Sequence, residues 1–426
     1  MAAGSHPKDL TPPLAFKLLG EPGSINEQRQ SPLFGKLPAE LRVLVWILVL
    51  TRYEDFDRPF KLGNRETRPG QAGPLRVAVD LLLACRAIYT EAFLVPFQVN
   101  PMIIFDGDKS DIPPYHRTLP LPASNYYKPL ASRFWQFAQF SSVQLNVQQH
   151  NLEGSAIEKA SRAVGTLGRH RGQVVRGFAS GYAAFHYPNE TAMGSTQENN
   201  NPDGPLSEAD RICIGKKITH LTVRIARTDW WSWTDRPEEG AADLSKALRL
   251  EPDIHTTCHD HSAMLRGYEA RKAGMEVDSG LDDFKKPRRW GQPGWGDQIA
   301  LYWPDLETLE LVLETFAQKQ SQLETVISCA KLWQFPVERG YRLEWDGKEE
   351  STVRWQGANK YDYEYQSPWV DARYGHTDPE KSHNRLTRWR PRSEHVDELS
   401  LGQVFIIKTL TFRRRKVTTE RPSAEA

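Results

Sequence analysis

From Leu41 to Leu50 the chain reads Leu-Arg-Val-Leu-Val-Trp-Ile-Leu-Val-Leu, with Arg42 its one charged residue. The segment follows Leu37-Pro38-Ala39-Glu40, and proline suits the first turn of a helix, where its missing N–H costs nothing. A helix from Pro38 to Leu50 is therefore predicted. A helix on a single core needs only one apolar stripe, whereas this one is apolar around nearly its whole circumference. It must pack on more than one side, either as a central core helix or with one face against a partner chain. Leu37, Pro38, Leu41, Leu44, Ile47 and Leu48 are the candidate partner-facing residues.

A polar stretch, Arg52 to Gly73, reads as an extended loop. Beyond it Leu81, Cys85, Ile88, Ala92 and Val95 recur at the spacing of one helical face, and Pro96 marks an end. These residues predict a second buried helix over about 76–95. Met102 to Phe105 then reads as a short strand before the turn residues Asp106-Gly107.

Leu37-Pro38-Ala39-Glu40-Leu41, then an apolar helix, then Leu82-Leu83-Ala84-Cys85-Arg86-Ala87-Ile88-Tyr89 with Glu91 and Ala92, resembles the F-box. More closely it is similar to a large fungal F-box-like family that pairs an LPxEL helix with an LxxCRxIYxEA helix. The resemblance lies within residues 31–106, and the polar residues 52–73 interrupt a pattern that is nearly continuous in the family. It implies a compact helical module that docks on the adaptor subunit of cullin-RING ubiquitin ligases while the rest of the chain holds a substrate. A protein partner is the expectation that follows, and no cofactor is implied.

The remainder predicts an α+β or α/β body over 107–416, irregular, with leucine-rich-like strands and long loops. Its strands are Val143 to Val147, Ile218 to Ile225, Leu309 to Leu313 and Val404 to Phe412, with helices over Ile157 to Leu167 and Phe316 to Ile327. The strand starts at 143, 218, 309 and 404 lie far beyond a repeat period of roughly 20–29 residues, so no solenoid is predicted. A hairpin is expected over Tyr341 to Trp355, turning at Asp346-Gly347. Residues 1–30 and 417–426 read as disordered tails, and about 188–210 and 360–395 as long polar loops.

Lys+Arg 55 against Asp+Glu 54 leaves a net charge of +1, without the excess of cations that phosphate backbones call for. Nucleic acid is not the expected partner. Four scattered cysteines fit no disulfide framework and read as small buried hydrophobes. With no apolar leader behind a basic start and no run long enough for a bilayer, a cytoplasmic or nuclear chain without a membrane partner is expected.

Candidate chemistry is sparse. His255, Cys258, His259 and His261 carry zinc-type donors, but no second ligand pair stands at zinc-finger spacing, so a polar loop or helix start is the reading. Gly165 to Gly172 fits neither dinucleotide nor P-loop patterns. No nucleophile elbow is present. Trp230-Trp231-Ser232-Trp233 reads as core or loop anchors, with an aromatic ligand platform the alternative. Lys285, Lys286, Arg288 and Arg289 form a candidate nuclear-import signal, and Arg413-Arg414-Arg415-Lys416 continues a strand. The expected function is non-catalytic protein interaction or scaffolding, including substrate recognition in a ubiquitin ligase. The alternatives are a metal- or ligand-dependent enzyme using His255 to His261, and a nuclear nucleic-acid-associated protein.

Overall fold

A computed structural model describes residues 25–59, 69–70, 73–106, 140–163, 217–232, 237–253, 261–275, 294–337, 340–358 and 401–417, with Leu14, Leu18 and Gly23 besides. The tract 188–210, the tract 360–395, the Gly165 to Gly172 segment and most of both tails lie outside the described residues.

The helical part opens with α1 (Pro32–Lys36), where Ser31 caps the first turn by accepting the Leu33 N–H. Next comes α2 (Ala39–Leu50), with Pro38 as its N-cap residue. The single helix predicted over 76–95 is three elements instead. Leu75–Arg76 (β2) pairs antiparallel with Tyr53–Glu54 (β1) inside the stretch expected to be loop. A 3-10 turn follows over Val79–Leu83. Cys85 then adopts extended backbone, φ −160° and ψ 161°, and caps α3 (Arg86–Ala92) with its sulfur. Pro96 opens rather than ends a helix, sitting in the first turn of α4 (Val95–Val99), a position that tolerates it. The periodicity misled because Ile88, Ala92 and Val95 do share one buried side with Trp46 and Leu50, across these breaks.

The body is a mixed eight-stranded sheet among the described residues, ordered β3-β4-β5-β6-β10-β8-β7, with β9 also on β10. Strands β3 (Met102–Asp106), β4 (Ser142–Val147), β5 (His220–Ile225) and β6 (Thr308–Phe316) are parallel neighbours. Strands β7 (Gln334–Pro336), β8 (Tyr341–Trp345), β9 (Ser351–Ala358) and β10 (Leu401–Lys416) add antiparallel pairs. With helices and a mixed sheet in one chain, the class is α+β in the general sense. Met102–Asp106, expected to close the helical module, is thus the first strand of the body sheet.

Two further expectations are corrected. No Tyr341 to Trp355 hairpin forms: β8 pairs with β7, and β8 and β9 lie end to end along β10. Alternation told that both segments were strands but could not tell their partners. Phe316 belongs to β6, and the helix expected from it starts later, as α8 (Gln320–Ala330), after a 3-10 turn.

Strand alternation sorts the sheet into two faces. One carries Val143, Leu145, Leu221, Val223, Leu309, Leu311, Leu313, Ile406, Leu410 and Phe412, all buried in one cluster. Against it pack α5 (Ala156–Ala163), α6 (His261–Lys272), α7 (Trp295–Tyr302) and α8, through Ile157, Met264, Trp295, Ile299, Leu323 and Ile327. The other face carries Gln144, Thr222, Arg224, Glu310, Thr409 and Thr411.

Lys408 stands on the packed face, 4 % exposed, and bonds Glu324 of α8 at 2.7 Å and Glu350 at 3.0 Å. A buried ammonium requires such partners. Lys331 reaches Glu350 at 2.8 Å, and these cations push its carboxyl down to about 2, from an ordinary 4.5. A depressed carboxylate contributes stability that is complete above the ordinary value and lost as pH falls through the folded one. The Glu350→Gln variant is therefore expected to show a shallower loss of stability between about pH 4.5 and 2 in an acid titration followed by circular dichroism.

Candidate interaction face

Helix α2 turns Trp46 and Leu50 inward, at 1 % and 0 % exposure, onto Ile88, Ala92 and Val95. On a helix of 3.6 residues per turn the opposite side is then Leu41, Leu44 and Leu48, while Val45, like Ile47, packs partly on the inner cluster. Leu41, Leu44 and Leu48 are 48 %, 55 % and 77 % exposed. Their spacing, i, i+3, i+7, is one by which helices seat against helices. Among the other predicted partner-facing residues Pro38 is exposed, while Leu37 is half-buried and Ile47 packs partly on the inner cluster. Val43 and Val49 are also 45 % and 39 % exposed. Among the described residues the Leu41, Leu44 and Leu48 side of the helix is thus left uncovered.

The inner side is pinned by polar contacts that sequence reading did not find. Glu91 of α3 accepts from Arg42 Nε at 3.0 Å, Arg42 Nη2 at 2.6 Å and Trp46 Nε1 at 3.1 Å. Paired charge and bidentate geometry make such bonds the stronger kind. The guanidinium also donates to Leu37 O at 2.7 Å and lies 5.1 Å from the Phe34 ring centre. Arg42 therefore ties α1, the link before α2, α2 itself and α3 to one carboxylate. At the far end Asn100 donates to Leu50 O and Pro96 O, both at 2.8 Å, and accepts the Arg52 N–H at 2.6 Å, satisfying the last carbonyl of α2. The segment LPAEL and the segment CRAIYTEA are joined physically through Glu91 and Arg42, the residue that follows the first of them.

Thr222 Oγ1 lies 3.3 Å from His220 Nε2 and 3.3 Å from Glu310 Oε2, and that oxygen is 3.2 Å from the same His220 nitrogen. In a nucleophilic triad the imidazole bridges hydroxyl and carboxylate through opposite nitrogens. Here both meet Nε2, which gives a cross-strand polar triangle and no proton relay. The His220 hydrogen bond holds the Glu310 carboxyl below its usual range.

Trp230 is 1 % exposed and donates to Glu314 O at 2.8 Å, so it anchors the core. Trp231 is 44 % exposed and meets the His150 ring edge-on. Trp233 lies outside the described residues. Behind them Glu314, fully buried, faces Arg224 and Arg227, and Arg227 lies over the Trp355 and Phe405 rings.

His261 is buried with Nδ1 3.0 Å from Leu248 O, while His255, Cys258 and His259 lie outside the described residues. Among the described residues no group of three or more His, Cys, Asp or Glu is placed to hold a metal ion, and no helix is long and apolar enough to cross a membrane. Cys329 is buried, Cys85 half-buried, and Cys213 lies outside the described residues. The Lys285, Lys286, Arg288 and Arg289 cluster also lies outside them, whereas Arg413 to Lys416 form the end of β10. No protein-family model, curated protein or solved structure matches the chain.

Proposed function

We propose that this chain is a non-catalytic interaction protein whose helical unit docks on a helical surface of a partner protein. The adaptor subunit of a cullin-RING ubiquitin ligase is the partner that the F-box-like resemblance implies. In that arrangement the sheet body holds the substrate. The carrying observation is the exposed Leu41, Leu44 and Leu48 stripe on a helix fixed from behind by Glu91 and Asn100. Apolar side chains cost free energy in water and recover about 1.5–3 kcal/mol each when fully covered.

Co-purification and calorimetric titration of the intact chain with the adaptor test this. Leu44→Asp with Leu48→Asp is expected to weaken association by more than about a hundredfold while leaving the melting temperature within a few degrees, because both sites face solvent. Residues Val43 to Leu50 carry no charge, so the affinity should change little with salt. A well-folded wild-type protein that shows no association, or a double variant that binds equally well, would overturn the ligase reading.

A further inference from the structure

Segment 249–253 carries a buried ionic cluster that the interaction face does not use. Arg271 of α6 bonds the carboxylates of both Glu251 and Asp253. Trp295, the first residue of α7, donates its indole N–H to Glu251 O at 3.1 Å, and Gly296 N–H donates to Pro252 O at 3.1 Å. A side chain on Gly294 would collide with that same carbonyl, so α7 begins hard against the segment. Asp297, two residues on, is 3 % exposed, and it feels the charge of Asp253. One guanidinium thus bonds two carboxylates, and a third, buried carboxyl, Asp297, lies within reach of the charge of Asp253.

We propose that Glu251, Asp253, Arg271 and Asp297 form a proton-dependent fastening that holds α6 and α7 to segment 249–253 when partly neutral and loosens α7 as it ionises. Burial drives the behaviour, because an unpaired carboxylate out of water is costly and takes up a proton instead. Burial pushes both Glu251 and Asp297 up to about 7.

Among the described residues the surrounding elements do not cancel the excess of negative charge. From α6 come Arg271 and Glu269, and from α8 the Cys329 thiol, pushed up by burial to about 11 and so neutral in this range. Arg249, on the segment itself, interacts with Glu153, and Glu158 of α5 lies where its N–H meets Gln298. The sign follows from linkage. A carboxyl group whose folded value is raised contributes stability that is complete below its ordinary value and lost as pH rises through about 7.

Amide hydrogen exchange of the intact protein, corrected for the intrinsic pH dependence of exchange, tests the proposal. Protection of Trp295–Tyr302 is expected to fall by at least about tenfold from about pH 5.5 to about pH 8, while that of Thr308–Phe316 stays level. Asp297→Asn, which cannot ionise, should keep its protection at the higher pH, and Glu251→Gln should remove part of the response. Equal corrected protection in the wild type at both pH values overturns the proposal, as does a full response in both variants. Should the variants fail to fold, the wild-type comparison decides alone.

Discussion

Replacing Trp295 with alanine is expected to lower the stability of the sheet body by about 3–5 kcal/mol. Its ring is fully buried, with centroids 5.3 Å from Phe335 and 5.8 Å from Trp333, and joins α7 to β7 and the end of α8. Truncation removes those contacts and leaves a cavity that neighbours fixed on a strand and a helix fill poorly. It also strips the Glu251 carbonyl of its indole donor, an added cost for a buried acceptor. Urea unfolding followed by circular dichroism measures the loss, with Trp231→Ala as control. Trp231 is 44 % exposed, and its removal should cost less than about 1 kcal/mol. Equal losses at the two sites would show that the core is not organised around Trp295.

The second large effect is expected at Glu91. Its carboxylate serves both Arg42 and Trp46, and the side chains of Arg42 and Glu91 are 14 % and 31 % exposed. Glu91→Ala leaves a mostly covered guanidinium and a buried indole N–H without their acceptor, which should cost the helical unit about 2–3 kcal/mol. Glu91→Gln keeps one acceptor and should lose less. A double-mutant cycle with Arg42→Met should give a coupling of about 1–2 kcal/mol. The measurement is thermal melting of the intact chain, read by exchange protection within Ala39–Leu50. A Glu91→Ala chain with unchanged protection there would exclude the clamp.

Much of the architecture was legible because burial on one face imposes a period. His220–Ile225 alternates buried and half-buried side chains along its whole length, and Ser142–Val147 does the same. The helix Ala39–Leu50 was legible from its apolar run. What escaped the sequence was partner choice. Ser351–Ala358 alternates well enough to announce a strand, yet its mate, Leu401 to Thr409, lies on the far side of a long insertion. Cys85 escaped for another reason. A helical period of apolar residues survives a break when the broken pieces still turn their apolar sides to one core, so periodicity is blind to the extended residue in the middle.

The interaction stripe was half legible. The sequence told that α2 has apolar residues to spare, but only packing against α3 and α4 decided that Leu41, Leu44 and Leu48 are the surplus and that Ile47 is not. The clamp could have been suspected from Glu91, an acidic residue in an otherwise apolar neighbourhood, since a charge there needs a partner. The fastening at Asp297 had no such signal, because its neighbours come from segments far apart in sequence.

Strand β10 lies between β6 on one side and both β8 and β9 on the other. During synthesis, β3 to β6 can assemble side by side as each emerges, but the row of backbone groups along β6 then waits for residues 401–416 before it is paired. For that interval the nascent chain carries a raw apolar edge of the kind that templates aggregation. A ribosome stalled between 316 and 401 would thus hold a chain needing a chaperone, and release of β10 is the step that closes the sheet.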